Sequence, residues 1–180
     1  MKTQEIKNAR MEDFNDIVKN YKNQVFDTIY SVIGGSSDVD DIAQNVFLKI
    51  YINIGKFRGD SSLSTWIYRI TVNTCMDELR KRKRKTVSLE TELNESDRKY
   101  IQNAVVENFP DPHLRDSLQK ALNSLPEKYR VIITLKEIDG LKYNEISRVM
   151  KISMAKVKVW LFRAREHLQE ELSFLNAEVK

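Results

Sequence analysis

Four constellations in this 180-residue chain bring together side chains that could do chemistry or recognition. The first is an acidic trio, Asp38, Asp40 and Asp41. Carboxylates grouped this way could hold Mg²⁺ for phosphoryl transfer, but no catalytic base, glycine-rich phosphate loop or histidine partner accompanies them. The trio falls where a helix should begin, and acids there are explained by capping and by the partial positive charge of a helix N-terminus. Cys75, His113 and His167 are scattered, so no metal-ligand cluster and no internal disulfide can form from them. Cys75 reads as a small buried hydrophobe and both histidines as surface residues. No catalytic residue, metal or cofactor is expected.

The second constellation is a run of six cations, Arg80 to Lys85, preceded by Trp66, Tyr68, Arg69 and Asn73 on the same stretch. Rings interleaved with cations suit single-stranded DNA, whose exposed bases stack on aromatics while its phosphates meet positive charge. The third lies near the C-terminus. A short helix over Tyr143–Met150, a connection Lys151-Ile152-Ser153 and a longer helix from Met154 to about Leu175 make a helix-turn-helix, whose second helix enters the DNA major groove. Met154, Val157, Leu161, Ala164, Leu168 and Leu172 step by three or four and should pack inward. Lys156, Lys158, Val159, Phe162, Arg163 and Arg165 should face out, where cations meet phosphate and arginine can contact guanine. The fourth is the outer face of a helix over residues 38–54, where Asp41, Gln44, Asn45, Leu48 and Ile52 mix polar and apolar groups as a protein-binding helix does.

The elements that position these residues follow from hydrophobic spacing. Met11, Phe14, Val18, Tyr21, Val25 and Ile29 predict an amphipathic helix, broken by Gly34-Gly35. Ser37 and Asp40 read as a capping box for the next helix, which carries Val39, Ile42, Ala43, Val46, Phe47, Ile50, Tyr51 and Ile54 and ends at Gly55. A loop over residues 57–62 leads to a third helix from about Leu63 that runs into the cations, which complement the negative end of its dipole. Residues 86–112 are acidic and weakly periodic, with a helical turn expected near Tyr100–Val106, and read as a linker. Beyond it, His113–Asn123 form a helix. Ser124 and Glu127 frame Pro126 as another capping box, and a helix through Tyr129, Ile132, Ile133 and Leu135 stops near Gly140.

Composition agrees. Five glycines and three prolines are too few for a turn-rich β architecture, so the expected fold is all-α: two small helical domains joined by a flexible linker, the second containing the helix-turn-helix. A net charge of +4 is too small to imply nucleic acid by itself, so its distribution has to make that case. The apolar runs are too short to span a bilayer, and the opening MKTQEIKNARMEDF lacks a signal-peptide core. A cytoplasmic protein is expected.

Together these segments resemble the extracytoplasmic-function (ECF) sigma factors of bacterial RNA polymerase. The resemblance rests on Asp38-Val-Asp-Asp-Ile-Ala-Gln-Asn-Val-Phe-Leu-Lys49, Phe57-Arg-Gly-Asp and Ser64-Thr-Trp-Ile-Tyr-Arg-Ile-Thr-Val-Asn73. Distally it rests on Leu125-Pro-Glu-Lys-Tyr-Arg130, Tyr143-Asn-Glu-Ile146, Val157-Lys158 and Phe162-Arg-Ala-Arg-Glu166. It implies an N-terminal sigma domain over 1–85, a linker over 86–112 threading the RNA-exit channel, and a C-terminal sigma domain over 113–180. Core polymerase would be bound through Asp38, Asp41, Gln44, Asn45 and Leu48. The −10 element would be melted and held by Phe57, Arg58, Ser61, Ser62, Trp66, Tyr68, Arg69, Asn73 and Arg80, with a flipped base captured by Phe57, the Gly59–Ser64 loop and Asn73. The −35 element would be read by Ser153, Lys156, Lys158, Val159, Phe162, Arg163 and Arg165.

The implied partners are core RNA polymerase, promoter DNA and an anti-sigma factor, commonly membrane-anchored, for which Leu48, Ile52 and Trp160 offer exposed contacts. No small-molecule substrate is implied. Three positions depart from the usual pattern of the group. Asn45 stands where Glu is common, and Val159-Trp160 where Ser-Arg is, which favours thymine methyls or backbone shape over guanine. Lys151 replaces a frequent Gly and predicts a turn that needs no positive φ. The alternative is a free-standing helix-turn-helix regulator acting without polymerase, for which no dimerisation heptad is present.

Overall fold

The computed structural model of the chain describes residues 2–34, 38–88 and 112–178, with side chains placed over 14–34, 38–84 and 117–173. Every regular element among the described residues is helical. The N-terminal bundle comprises α1 (Lys2–Ile33), α2 (Val39–Asn53) and α3 (Leu63–Ser88), with a short 3₁₀ turn, Ile54–Lys56, after α2. The C-terminal bundle comprises α4 (Pro112–Ser124), α5 (Glu127–Ile133), a π-helical turn over Thr134–Ile138, α6 (Tyr143–Met150) and α7 (Met154–Glu178).

The apolar stripes explain the packing. Val25, Ile29 and Val32 of α1 meet Val39, Ile42, Ala43, Val46 and Ile50 of α2 and Ile67, Val72 and Cys75 of α3 in one core. In the second bundle, Val131, Ile132 and Ile133 of α5 pack with Ile146 and Val149 of α6 and Val157, Leu161 and Ala164 of α7. Burying each such side chain contributes about 1.5–3 kcal/mol.

Several local expectations are corrected. α1 begins well before Met11. Ser37, and the helical turn expected near residues 100–106, lie outside the described residues. α5 starts from Pro126 without a side-chain cap, because the Ser124 hydroxyl donates instead to the Ala121 carbonyl at 2.8 Å. Met154, expected to pack inward, is exposed at the first position of α7. Lys151 has φ +53° and ψ +46°, a left-handed conformation, so the turn does demand positive φ. The reason is the end of α6: Lys151 N–H and Ile152 N–H both reach the Ser147 carbonyl, which closes the helix only if residue 151 turns left-handed.

The two bundles are packed together. α1 lies against α4, α5 and the π-helical turn, and α3 lies against α6. Arg130 Nη1 donates to the Val32 carbonyl at 3.1 Å and so satisfies an orphan acceptor at the C-terminus of α1. Nη2 of the same guanidinium holds the Asn123 and Leu125 carbonyls at 3.1 and 3.2 Å, and burial lowers its pKa. Gly34 ends α1 at φ +93°, where a Cβ would sit 2.5 Å from Asn123 Oδ1. Only glycine allows both that backbone turn and that approach.

A second polar contact joins the bundles where Thr28 meets Asp139. Thr28 Oγ1 lies 2.8 Å from the Gln24 carbonyl, and 3.3 and 3.1 Å from Asp139 Oδ1 and Oδ2. Desolvation pushes the Asp139 carboxyl up to about 7, with the charge of nearby Asp27 adding to it and the Thr28 hydrogen bond opposing it. Burial also raises the Asp27 carboxyl.

Candidate nucleic-acid interface

The loop between α2 and α3 is held by its own side chains. Ser62 serves as the N-cap of α3: its hydroxyl accepts the Thr65 N–H at 3.1 Å and pairs with Thr65 Oγ1 at 2.8 Å. Phe57 packs against Trp66, with ring centroids 5.5 Å apart and planes tilted by 51°. Phe57, Thr65 and Trp66 line one wall of a cleft of about 590 Å³ together with Lys56, Arg58, Asp60, Ser61 and Arg69. The opposite wall comes from the helix-turn-helix, through Arg148 and Lys151.

Of the residues proposed for the −10 element, the structure brings Phe57, Arg58, Ser61, Trp66 and Arg69 together in this cleft. Ser62 is spent on the helix cap, although its residue remains exposed. Asn73 is exposed further along α3, and Arg80 pairs there with Asp77 at 3.0 Å. Tyr68 is only 6% exposed; burial foremost, then the charges of Asp139, Asp27 and Glu145, raise its phenol. Its ring therefore belongs to the contact between the bundles in this arrangement.

On α2 the outer face is as expected. Asp41, Gln44 and Asn45 are exposed, and Leu48 and Ile52 show 55% and 61% of their surface. Leu48 and Ile52 stand one turn apart and make a short apolar ridge. Asp38 is tied within the chain to Arg82 at 2.9 Å, which accounts for that acid without a metal.

On α7, Ser153 at its N-terminal edge and Lys156, Lys158, Val159, Phe162, Arg163 and Arg165 are all exposed. Phe162 shows 62% of its surface and stands three residues from Val159, 47% exposed, so the two make an apolar spot on the charged face. Arg165 is held by Glu137 through Nε at 3.1 Å and Nη2 at 2.6 Å, and that hydrogen bonding raises its pKa. Trp160, expected as an open apolar contact, is instead partly enclosed. It meets Tyr129 edge-on at 6.5 Å, with Lys128 and Lys156 at 5.4 and 5.3 Å from its ring centroid. His167 stacks on Tyr129 at 5.7 Å.

Sequence reasoning missed Lys56, Arg148 and Lys151 in the cleft, and Thr28, Arg130 and Asp139 between the bundles. Thr28 did leave a trace, as a hydroxyl set between Val25 and Ile29 in an otherwise apolar stripe.

An all-helical pair of bundles, one with an aromatic and cationic cleft and the other with a helix-turn-helix, is the architecture of a sigma-70 type transcription factor. Sigma-70 region 2 matches residues 17–85, and Sigma-70, region 4 matches residues 115–168. The chain is 32% identical over 175 residues to the ECF RNA polymerase sigma factor SigW of Bacillus subtilis (strain 168), covering 93% of each. It is 33% identical over 166 residues to the ECF RNA polymerase sigma-E factor of Escherichia coli (strain K12), covering 88% of this chain and 86% of that one. The chain belongs to the ECF sigma factors. Among solved structures, its fold is like that of the sigma factor RpoE in complex with the anti-sigma factor NepR from Bartonella quintana, with TM-score 0.75 at 22% identity over 90% of this chain and 98% of that one. It is also like CnrH in complex with the cytosolic domain of CnrY, with TM-score 0.62 at 22% identity over 93% and 90%.

Proposed function

We propose that this sigma factor divides promoter recognition between its bundles, with residues 1–85 binding core polymerase and melting the −10 element, 86–112 linking them, and 113–180 reading the −35 element. The observation that carries this is the presence on one chain of an apolar ridge on α2, an aromatic and cationic cleft beside α3, and an exposed basic face on a helix-turn-helix. The ridge, Leu48 with Asp41, Gln44 and Asn45 around it and Asp38 at its base, docks on core polymerase. Phe57 with Ser61 offers a ring and a hydroxyl to an extruded base, which offsets the few kcal/mol lost in unstacking it. Arg58 and Arg69 meet the phosphates beside that base, and Asn73 and Arg80 continue the track along α3.

Lys156, Lys158 and Arg163 position α7 on the −35 duplex, and Val159 and Phe162 present apolar groups to thymine methyls. The factor forms and breaks no bonds, and phosphodiester synthesis belongs to the core enzyme. It acts in the cytoplasm, where an anti-sigma protein would cover Leu48 and Ile52. The fold relatives solved in complex with such proteins support that partner class.

Run-off transcription from genomic DNA fragments, with core polymerase and with or without the purified chain, tests the proposal. Discrete new transcripts that require both are expected, and aligning their upstream sequences yields both promoter elements. Stable failure to bind core would refute it. Arg163→Ala should lower transcription from those promoters while core binding stays intact; loss of core binding instead would refute the division of roles.

A further inference from the structure

The cleft has two walls, and only one belongs to the strand-binding domain. Lys56, Arg58 and Arg69 on the α2–α3 side face Arg148 and Lys151 from the helix-turn-helix, with Asp60 the sole acid in the lining. None of these five cations takes part in an ion pair among the described residues. Five like charges brought together across a cleft repel one another and raise its affinity for a polyanion. The left-handed turn that closes α6 places Lys151 at this opening, one turn from Arg148. The cleft volume, about 590 Å³, is that of a small-molecule site, and the half-buried Phe57 ring gives it an aromatic floor beside Ser61.

We propose that the cleft binds a nucleoside triphosphate, its base on Phe57 and its phosphates between Arg58 and Arg69 on one wall and Arg148 and Lys151 on the other. Such a ligand bridges the bundles and holds them in the packed arrangement seen here. Capture of the −10 strand needs only the α2–α3 wall, so nucleotide binding and promoter-directed transcription can fail independently.

The test is calorimetric titration of the full chain with ATP and with GTP, with tripolyphosphate, adenosine and a single-stranded DNA octamer as comparisons. Saturable one-to-one binding of a nucleotide is expected, with tripolyphosphate and adenosine each at least tenfold weaker. R148A and K151G should each weaken nucleotide binding by about tenfold, the usual worth of one charge-assisted hydrogen bond. Both residues are exposed and glycine accepts the φ of position 151, so neither change should impair folding. Absence of saturable binding, or unchanged affinity in both variants, would overturn the proposal. Equal affinity for tripolyphosphate would reduce the site to a cationic patch without base recognition and overturn it too. Octamer binding that is tighter than the nucleotides and weakened by the same two substitutions would assign the two-walled cleft to a DNA strand instead.

Discussion

Replacing Asp139 with an asparagine isolates the cost of keeping a carboxyl between the two bundles. Thr28 has one hydroxyl proton, yet its oxygen lies within hydrogen-bond distance of both the Gln24 carbonyl and Asp139. If that proton goes to Gln24 at 2.8 Å, the contact with Asp139 is complete only when Asp139 is protonated and donates to Thr28. Independently of that proton, burial raises the Asp139 carboxyl to about 7 against an ordinary 3.8, with the charge of Asp27 adding to the raise and donation from Thr28 opposing it.

A carboxyl whose folded-state value is raised lends its full stability below 3.8 and loses it progressively as pH climbs through about 7. At about 1.4 kcal/mol per tenfold the ceiling is about 4 kcal/mol, and partial contact with solvent lowers it to about 2–3 kcal/mol. For a chain of this size that is on the order of 5–10 °C in Tm. The amide introduced by D139N can donate an N–H to Thr28 at every pH. Thermal unfolding of D139N should therefore match the wild type at about pH 4 and exceed it by those degrees at about pH 8. Parallel pH profiles for the two proteins would show that Asp139 is ionised and solvated throughout, and the reasoning would fail.

Other perturbations test separate parts of the structure. Gly34→Ala forces a Cβ to within 2.5 Å of Asn123 Oδ1 at a φ of +93°, so urea unfolding should register a loss of about 1–3 kcal/mol. Leu48→Asp alters a residue 55% exposed, so the melting temperature should hold while co-elution with core polymerase is lost. The Cys75 thiol is fully buried, and desolvation pushes its pKa up to about 12. An aromatic disulfide reagent at about pH 8 should label it at the rate of unfolding, and fast labelling of the native chain would contradict that burial.

The helices are legible because each buries a single stripe, and a stripe writes itself into the sequence at steps of three and four. The outward residues of α2 and α7 are legible for the complementary reason, since Leu48, Ile52 and Phe162 break the polar pattern of faces that should be wet. What periodicity does not encode is the identity of the surface a stripe is buried against. Tyr68 reads in the sequence as a ring for DNA because its neighbours Trp66 and Arg69 are suited to that work, yet it is buried, and desolvation and the charges of Asp139, Asp27 and Glu145 raise its phenol. Thr28, Arg130 and Asp139 are far separated in the chain from the partners they meet across the bundles, and beyond the hydroxyl of Thr28 in an apolar stripe nothing local points to those contacts.

Lys151 shows the same limit more sharply. A non-glycine residue at a turn argues against positive φ when the turn is considered alone, because a Cβ makes that backbone unfavourable. The α6 end demands the left-handed turn regardless, through the two N–H groups that reach the Ser147 carbonyl. The same turn sets Lys151 across a cleft from Lys56, Arg58 and Arg69 of a bundle much earlier in the chain. That relation exists in the packed molecule and in no window of its sequence, and for this reason the cleft, rather than the helices around it, was the part that had to be seen.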